Sequence, residues 1–388
     1  MELIVALQSL AWPGGPQTYA LTVGEHLARL GHGVTLFARE LGAMADLARE
    51  RRLTTTGQIG ELPERADGVL VGVDRSLAFE LAERYPHAAR VFVVHGIDDI
   101  HLPPPVDGVV AATVALNDRF AQRAAACVGA GEVVRLRQPI DMRRFSVRRD
   151  PAPRPARVLL LGNYHGDSGS RAGLLTDAWS GTGITWEQVG YPHPVLDVAP
   201  AMYDVDAVVG YGRSILEAMA SGRPAYVFDH AGCDGWVTPE SYERIEAAGF
   251  SGMSDHPPVD AAGLRADLDA YRPDLGRMGY DLVRTYHDAR HHAAELVALL
   301  QRLAPEPAPL ERSASRALVR LSAAQLRAEI ARDDNRQEAK QWFARAQELD
   351  AQAAEATSRL EAIRGTRRYR FAQALGRTAE MIRLVRRR

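Results

Sequence analysis

The chain has 388 residues, enough for two to three domains of ordinary size, and its 46% apolar and 25% charged content excludes disorder throughout. Its longest purely apolar runs, such as Val91 to Val94, fall far short of the ~20 residues a membrane-spanning helix needs. The formal net charge of −2 hides an asymmetry, because residues 364–388 hold nine Arg against the single acid Glu380 and leave −10 on residues 1–363, a balance unsuited to general nucleic-acid binding.

The start MELIVALQSL has no basic leader region or small-residue cleavage site, so a cytoplasmic protein is expected. Two cysteines, Cys127 and Cys233, are too few for a disulfide framework or a cysteine-rich zinc site and are read as buried small hydrophobes. Lys340 is the chain's one lysine. Any phosphate contact in the folded body must therefore come from Arg, backbone N–H groups or helix N-termini.

The predicted elements begin with an apolar strand at Leu3 to Leu7, a Pro-Gly-Gly turn and a periodic helix from about Pro16 to Leu30. A Gly31-His32-Gly33 stop and a strand at Val34 to Phe37 complete a βαβ unit, the signature of a parallel sheet. Apolar runs at Val69 to Val73, Val91 to Val94, Val109 to Ala112 and Val133 to Leu136 extend this sheet. Alternate prolines in Asp150 to Pro155 then predict an extended linker and a domain boundary.

The alternation restarts with strands at Val158 to Leu161, Ile184 to Val189 and Ala207 to Val209, a helix at Ser214 to Ala220 and a strand at Ala225 to Phe228. Gly232 to Trp236 reads as a glycine-rich loop lining a cleft. A helix at Ala293 to Leu303 and a second proline-rich linker close the body. The expected architecture is α/β: two doubly wound, Rossmann-like domains, 1–149 and 156–304, facing across a cleft. Residues 313–363 follow as a helical, coiled-coil-like extension, with a thin heptad seam from Trp342 to Ile363 that suits either self-pairing into a homo-oligomer or packing on the body. Residues 364–388 form a basic amphipathic tail of the kind that lies on an anionic membrane surface.

Facing doubly wound domains bind nucleotide ligands where strand C-termini and helix N-termini converge. Gly14 and Gly15 stand at one such turn, and His95 ends an apolar strand with its ring directed at the cleft. Gly210-Tyr211-Gly212-Arg213-Ser214-Ile215-Leu216-Glu217 leaves a strand, turns on two glycines and opens a helix. Ser214 and Glu217 there have the spacing of a capping box, and Arg213 offers a charge-assisted fork for a diphosphate. Asp204-Val205-Asp206 has the form of a metal-binding D-x-D, but its place before a buried strand reads as a cap on the preceding segment. Gly210 and Gly212 with Asp229 have part of a dinucleotide fingerprint whose third glycine is replaced by Ile215.

Four segments, in order over about residues 1–300, resemble the GT-B glycosyltransferases, specifically retaining glycosyltransferase family 4. They are GGPQTYALTVGEHLARLGHGVTLFA from Gly14, VVHG ending at Gly96, VVRLRQPIDMRRF from Val133 and LEAMASGRPAYVFD from Leu216. The resemblance implies transfer of a sugar from a nucleotide-diphosphate-sugar donor to a polysaccharide or lipid-linked glycan acceptor, with no metal or other cofactor. It implies donor contacts at Gly14, Gly15, Gly212, Arg213, Ser214 and Glu217, with Glu217 on the ribose and His95 beside the sugar as the catalytic residue. Since glycosyltransferases of this sort often act on lipid-linked acceptors, it also favours the basic tail's placing the protein peripherally on the inner face of the plasma membrane.

Two positions depart from the family. Val209 stands where a second Glu is common, eight before Glu217, and bears on whether anomeric configuration is retained. The loop Gly162 to Asp167 carries no cation before Arg171, so the diphosphate must be neutralised by Arg213, Arg171 or the glycine turns. Two rival readings share the fold: an inactive GT-B scaffold in polysaccharide assembly, and an enzyme of the nucleotide-sugar epimerase kind.

Overall fold

In the computed structural model, the apolar runs assemble into two sheets. The structure describes residues 1–303, apart from 128, 163–171, 191–193, 229–231 and 256–259, together with 318–328 and 331. The seam at 342–363, the tail at 364–388, Arg171 and Asp229 lie outside the described residues.

The first lobe runs β1 (Glu2–Leu10), α1 (Gly15–Arg29), β2 (Gly33–Leu41), α2 (Ala43–Glu50), β3 (Thr54–Thr56), β4 (Gly68–Gly72), α3 (Arg75–Arg84), β5 (Ala89–Val94), β6 (Ala112–Ala115), α4 (Asp118–Ala125) and β7 (Glu132–Arg135). Its strands pair in parallel in the order β3-β2-β1-β4-β5-β6-β7. A parallel sheet covered on both faces has strands that read as unbroken apolar runs. In β1, Leu3, Val5 and Leu7 enter one core while Ile4 and Ala6 enter the other, the two-residue period of a strand.

The second lobe runs β8 (Arg157–Leu161), α5 (Ala172–Ala178), β9 (Thr185–Val189), α6 (Ala199–Tyr203), β10 (Ala207–Gly210), α7 (Arg213–Ala220), β11 (Ala225–Phe228), β12 (Cys233–Trp236), α8 (Tyr242–Ala247), α9 (Ala261–Asp269) and α10 (Leu275–Tyr286). Its order is β12-β11-β10-β8-β9, with β12 antiparallel. Strand order reverses between β1 and β4 in one sheet and between β8 and β10 in the other. Such switch points open crevices at the strand C-termini.

Four expectations are corrected. The run Val109 to Ala112 is not a strand: Val109 and Val110 are buried as loop residues against the core, and the strand begins at Ala112. Gly232 to Trp236 is not a free cleft loop, because Cys233 and Trp236 pack into the second core as the edge strand β12. Cys127 is half-buried, whereas Cys233 is buried as expected. Asp206 does not cap the preceding segment. Its carboxylate accepts the N–H groups of Ala152, Ala156 and Arg157 and the guanidinium of Arg149, and so pins the proline-rich linker to β10.

The chain crosses between lobes twice. It leaves the first after β7, and α11 (Ala289–Arg302) returns Ala293, Leu296, Leu299 and Leu300 to the first core. The crossings are bonded together, Ile140 N to His287 O at 2.7 Å and Ala289 N to Ile140 O at 3.0 Å. Two histidines clasp the join. His287 Nδ1 lies 2.8 Å from Gln138 O and its Nε2 2.8 Å from the Tyr242 hydroxyl; His292 Nδ1 lies 2.9 Å from Arg137 O and its Nε2 2.9 Å from the Tyr19 hydroxyl. A neutral ring protonated on Nδ1 satisfies each set: it donates to the carbonyl and accepts from the phenol.

Burial pushes His287 down to about 3 and His292 to about 4, even though the backbone hydrogen bonds oppose the shift. Because these folded values lie below the unfolded value near ~6.5, the unfolded chain binds more protons between them, and stability is lost as pH falls below that value. Each ring contributes a slope of up to about 1.4 kcal/mol per pH unit. The melting temperature should therefore drop between pH 7 and 5, before most carboxylates titrate; a flat melting temperature over that range would contradict it.

Candidate active site in the interlobe cleft

The C-terminal ends of both sheets face a cavity of about 480 Å³. That volume falls within the range of small-ligand sites. The turn after β1, the end of β5 and the start of α4 line it on one side, and the ends of β8, β9 and β10 with the start of α7 line it on the other.

Gly14 and Gly15 both line the cavity. Gly14 is the N-cap of α1 with extended backbone, and a Cβ at Gly15 would meet no atom within 4 Å. A Cβ at Gly14 would lie 2.5 Å from Gln17 Oε1, which would have to move; no left-handed backbone demands glycine at either position, and a side chain at Gly15 would take up cavity space.

The glycines before α7 are different. A Cβ on Gly210 would lie 2.7 Å from the Leu161 carbonyl oxygen, and Gly212 has φ +57°, a conformation that favours glycine. Together they set the start of α7 against β8. The capping-box expectation fails, because the N-cap is Gly212 and no side chain caps the helix. Ser214, in the first turn, lines the cavity instead.

Glu217, one turn further on, is buried beside the cavity. Its Oε1 accepts from Arg213 Nε at 2.7 Å, while Oε2 takes no hydrogen bond among the described residues. Burial raises the Glu217 pKa, and the Arg213 guanidinium opposes that rise.

His95 follows β5, its ring edge-on to Tyr19 with centroids 4.9 Å apart, and takes no hydrogen bond among the described residues. Burial, with the charges of His101, Arg213 and His292, pushes it down to about 3. At neutral pH it is an uncharged imidazole with one donor and one acceptor nitrogen. The structure thus brings His95, Gly14, Gly15, Gly212, Arg213, Ser214 and Glu217 to one cavity.

Arg213 does not reach into open space as the sequence suggested. Besides Glu217, it donates to Pro139 O at 2.8 Å and to Thr22 Oγ1 at 3.3 Å. Among the described lining arginines, Arg51 pairs with Glu25 and Arg144 with Asp197, whereas Arg119 on α4 has no carboxylate partner among the described residues. Asp141, also lining, is held well below the usual carboxylate range by His26 and Arg143, against the effect of burial. Sequence spacing offers no signal for Arg119 or for Tyr19, since both depend on which strands lie side by side. Asp141 lies within the motif at Val133 but drew no assignment of its own. Among the described residues, no group of three or more His, Cys, Asp or Glu could hold a metal ion.

No protein-family profile and no curated protein matches the chain. Solved structures do. Anabaena HepE in complex with UDP-glucose aligns with a TM-score of 0.55 at 11% identity, over 77% of this chain and 100% of that one. A glycosyltransferase from Rickettsia africae aligns with a TM-score of 0.51 at 11% identity, over 77% and 98%. The likeness is one of fold, and with seven- and five-stranded sheets meeting at a cleft, the chain has the GT-B architecture.

Proposed function

We propose that the protein is a glycosyltransferase that moves a sugar from a nucleotide-diphosphate donor to a glycan or lipid-linked acceptor. The observation that carries this reading is the meeting of Glu217 and the α7 N-terminus with His95 and the Gly14-Gly15 turn across one cavity. In this reading Glu217 Oε2 accepts hydrogen bonds from the ribose hydroxyls. The N–H groups of Arg213 and Ser214 at the start of α7 face the diphosphate and stabilise its charge as it departs, while that of Ile215 is taken by the Gly212 carbonyl. Arg171 is a second diphosphate contact. Neutral His95 hydrogen-bonds the sugar, and Gly14 and Gly15 leave room for the phosphates to approach the backbone.

The sequence motifs support placement within retaining family 4 and a reaction that needs no metal. HepE, which shares the fold, binds UDP-glucose, and this supports a uridine nucleotide as the first donor to test. Calorimetric titration with UDP-glucose, GDP-mannose and the free nucleotides, followed by assays of sugar transfer and hydrolysis, tests the proposal. Binding without any turnover would favour the inactive scaffold; no binding would overturn the donor reading.

Nine Arg against one acid at 364–388, interleaved with Phe371, Leu375, Met381, Ile382 and Val385, support a peripheral site on the anionic inner face of the plasma membrane, with residues 313–363 as a spacer or oligomer stem. No helix among the described residues is long and apolar enough to cross a membrane. Deleting residues 364–388 should release the protein from anionic vesicles at low salt while sparing nucleotide binding. Sedimentation decides this, and full-length protein left in the supernatant would refute the membrane site.

A further inference from the structure

Arg213 stands where three parts of the chain meet. Its own helix α7 contributes Glu217, the crossover after β7 contributes the Pro139 carbonyl, and α1 of the first lobe contributes the Thr22 hydroxyl. Each of its three nitrogens is engaged, and the side chain is 10% exposed. Three of its five N–H groups are thus committed, so a bidentate phosphate contact would have to displace at least one of these bonds or use the two that remain. The guanidinium is a planar, rigid fork, so it meets all three acceptors only while the lobes keep this spacing. Thr22 lies 191 positions away in sequence and belongs to the other lobe, so opening the cleft must break that bond.

The partner that matters is Glu217. A buried carboxylate without its counter-charge is strongly disfavoured. Arg213 occupies Oε1 and leaves Oε2 to the cavity. We propose that Arg213 is a positioning residue that couples closure of the cleft to presentation of Glu217. With the lobes closed, Pro139 and Thr22 hold the guanidinium, and Glu217 is held for the nucleotide. When they open, both side chains lose their placement together. The nucleotide half of this inference rests on the donor reading above; the closure half does not.

The test uses the full-length chain and three variants: Arg213→Met, which removes every donor, Arg213→Lys, which keeps the charge, and Thr22→Val, which removes the first-lobe acceptor alone. Ligand-free small-angle scattering and amide exchange at residues 136–140 read closure; titration with UDP reads presentation. Arg213→Met and Thr22→Val should both enlarge the radius of gyration and speed exchange. Arg213→Met should weaken UDP binding at least tenfold, Thr22→Val by a few-fold, and Arg213→Lys should recover part of the loss. Unchanged scattering and exchange in Thr22→Val and Arg213→Met overturn the latch, and parental UDP affinity in Arg213→Met overturns the positioning role. If Arg213→Met does not fold, Thr22→Val alone decides, and parental behaviour in both readouts refutes the coupling. Should the parent bind no nucleotide at all, the donor reading fails and takes presentation with it, while scattering still decides the latch.

Discussion

Glu217→Gln should weaken donor nucleotide binding by about ten- to a hundredfold while leaving the fold intact, with a lower melting temperature because the buried Arg213 guanidinium loses its counter-charge. The carboxylate is buried beside the cavity with Oε1 on Arg213 and Oε2 unbonded among the described residues. An amide keeps the shape and can still accept from Arg213, but it loses the charge. Hydrogen bonds to charged groups contribute about 1.5 to 3 kcal/mol, and each ~1.4 kcal/mol is a factor of ten in affinity. Calorimetry with UDP and with GDP measures the effect directly. Parental affinity for both nucleotides would mean that Glu217 serves only to anchor Arg213.

His95→Ala should divide the kinetic parameters differently, lowering turnover about a hundredfold while changing affinity for the free nucleotide by less than threefold. His95 sits at the first-lobe end of the cavity, neutral because burial and the neighbouring Arg213 charge disfavour its protonated form. A neutral imidazole that exchanges hydrogen bonds with a reacting sugar accounts for a loss of about that size. The same pKa predicts that acidification from pH 7 to 5 does not titrate His95 in the folded protein. Comparing turnover with UDP affinity in parent and variant decides the point. Equal losses in both would show that His95 merely supports the end of β5.

Much of the site was legible in the sequence because it is built from local turns. Gly14, Gly15, Gly210 and Gly212 fall between apolar strands and periodic helices, and a strand–turn–helix junction at a sheet's C-terminal edge places those residues at a cleft whatever surrounds them. The same local spacing misled at Ser214 and Glu217. The S-x-x-E pattern depends on where the helix starts, and the helix starts at Arg213 with Gly212 as its cap. Val109 and Val110 misled similarly, since apolar loop residues under a core look like strand residues.

By itself, then, the sequence determined the α/β class, most of the parallel strands and the Gly210-x-Gly212 turn, because a parallel strand buried on both faces must be an unbroken apolar run and a turn pressed on a backbone or at positive φ favours glycine. Tertiary structure alone decided which partners those residues meet. Asp206 binds linker N–H groups about fifty positions away, Arg213 bonds Pro139 and Thr22 rather than open cleft, and His287 and His292 clasp the crossover near Gln138. The reason is physical: local periodicity reports which face of an element is buried, whereas strand order and the two interlobe crossings determine what it is buried against.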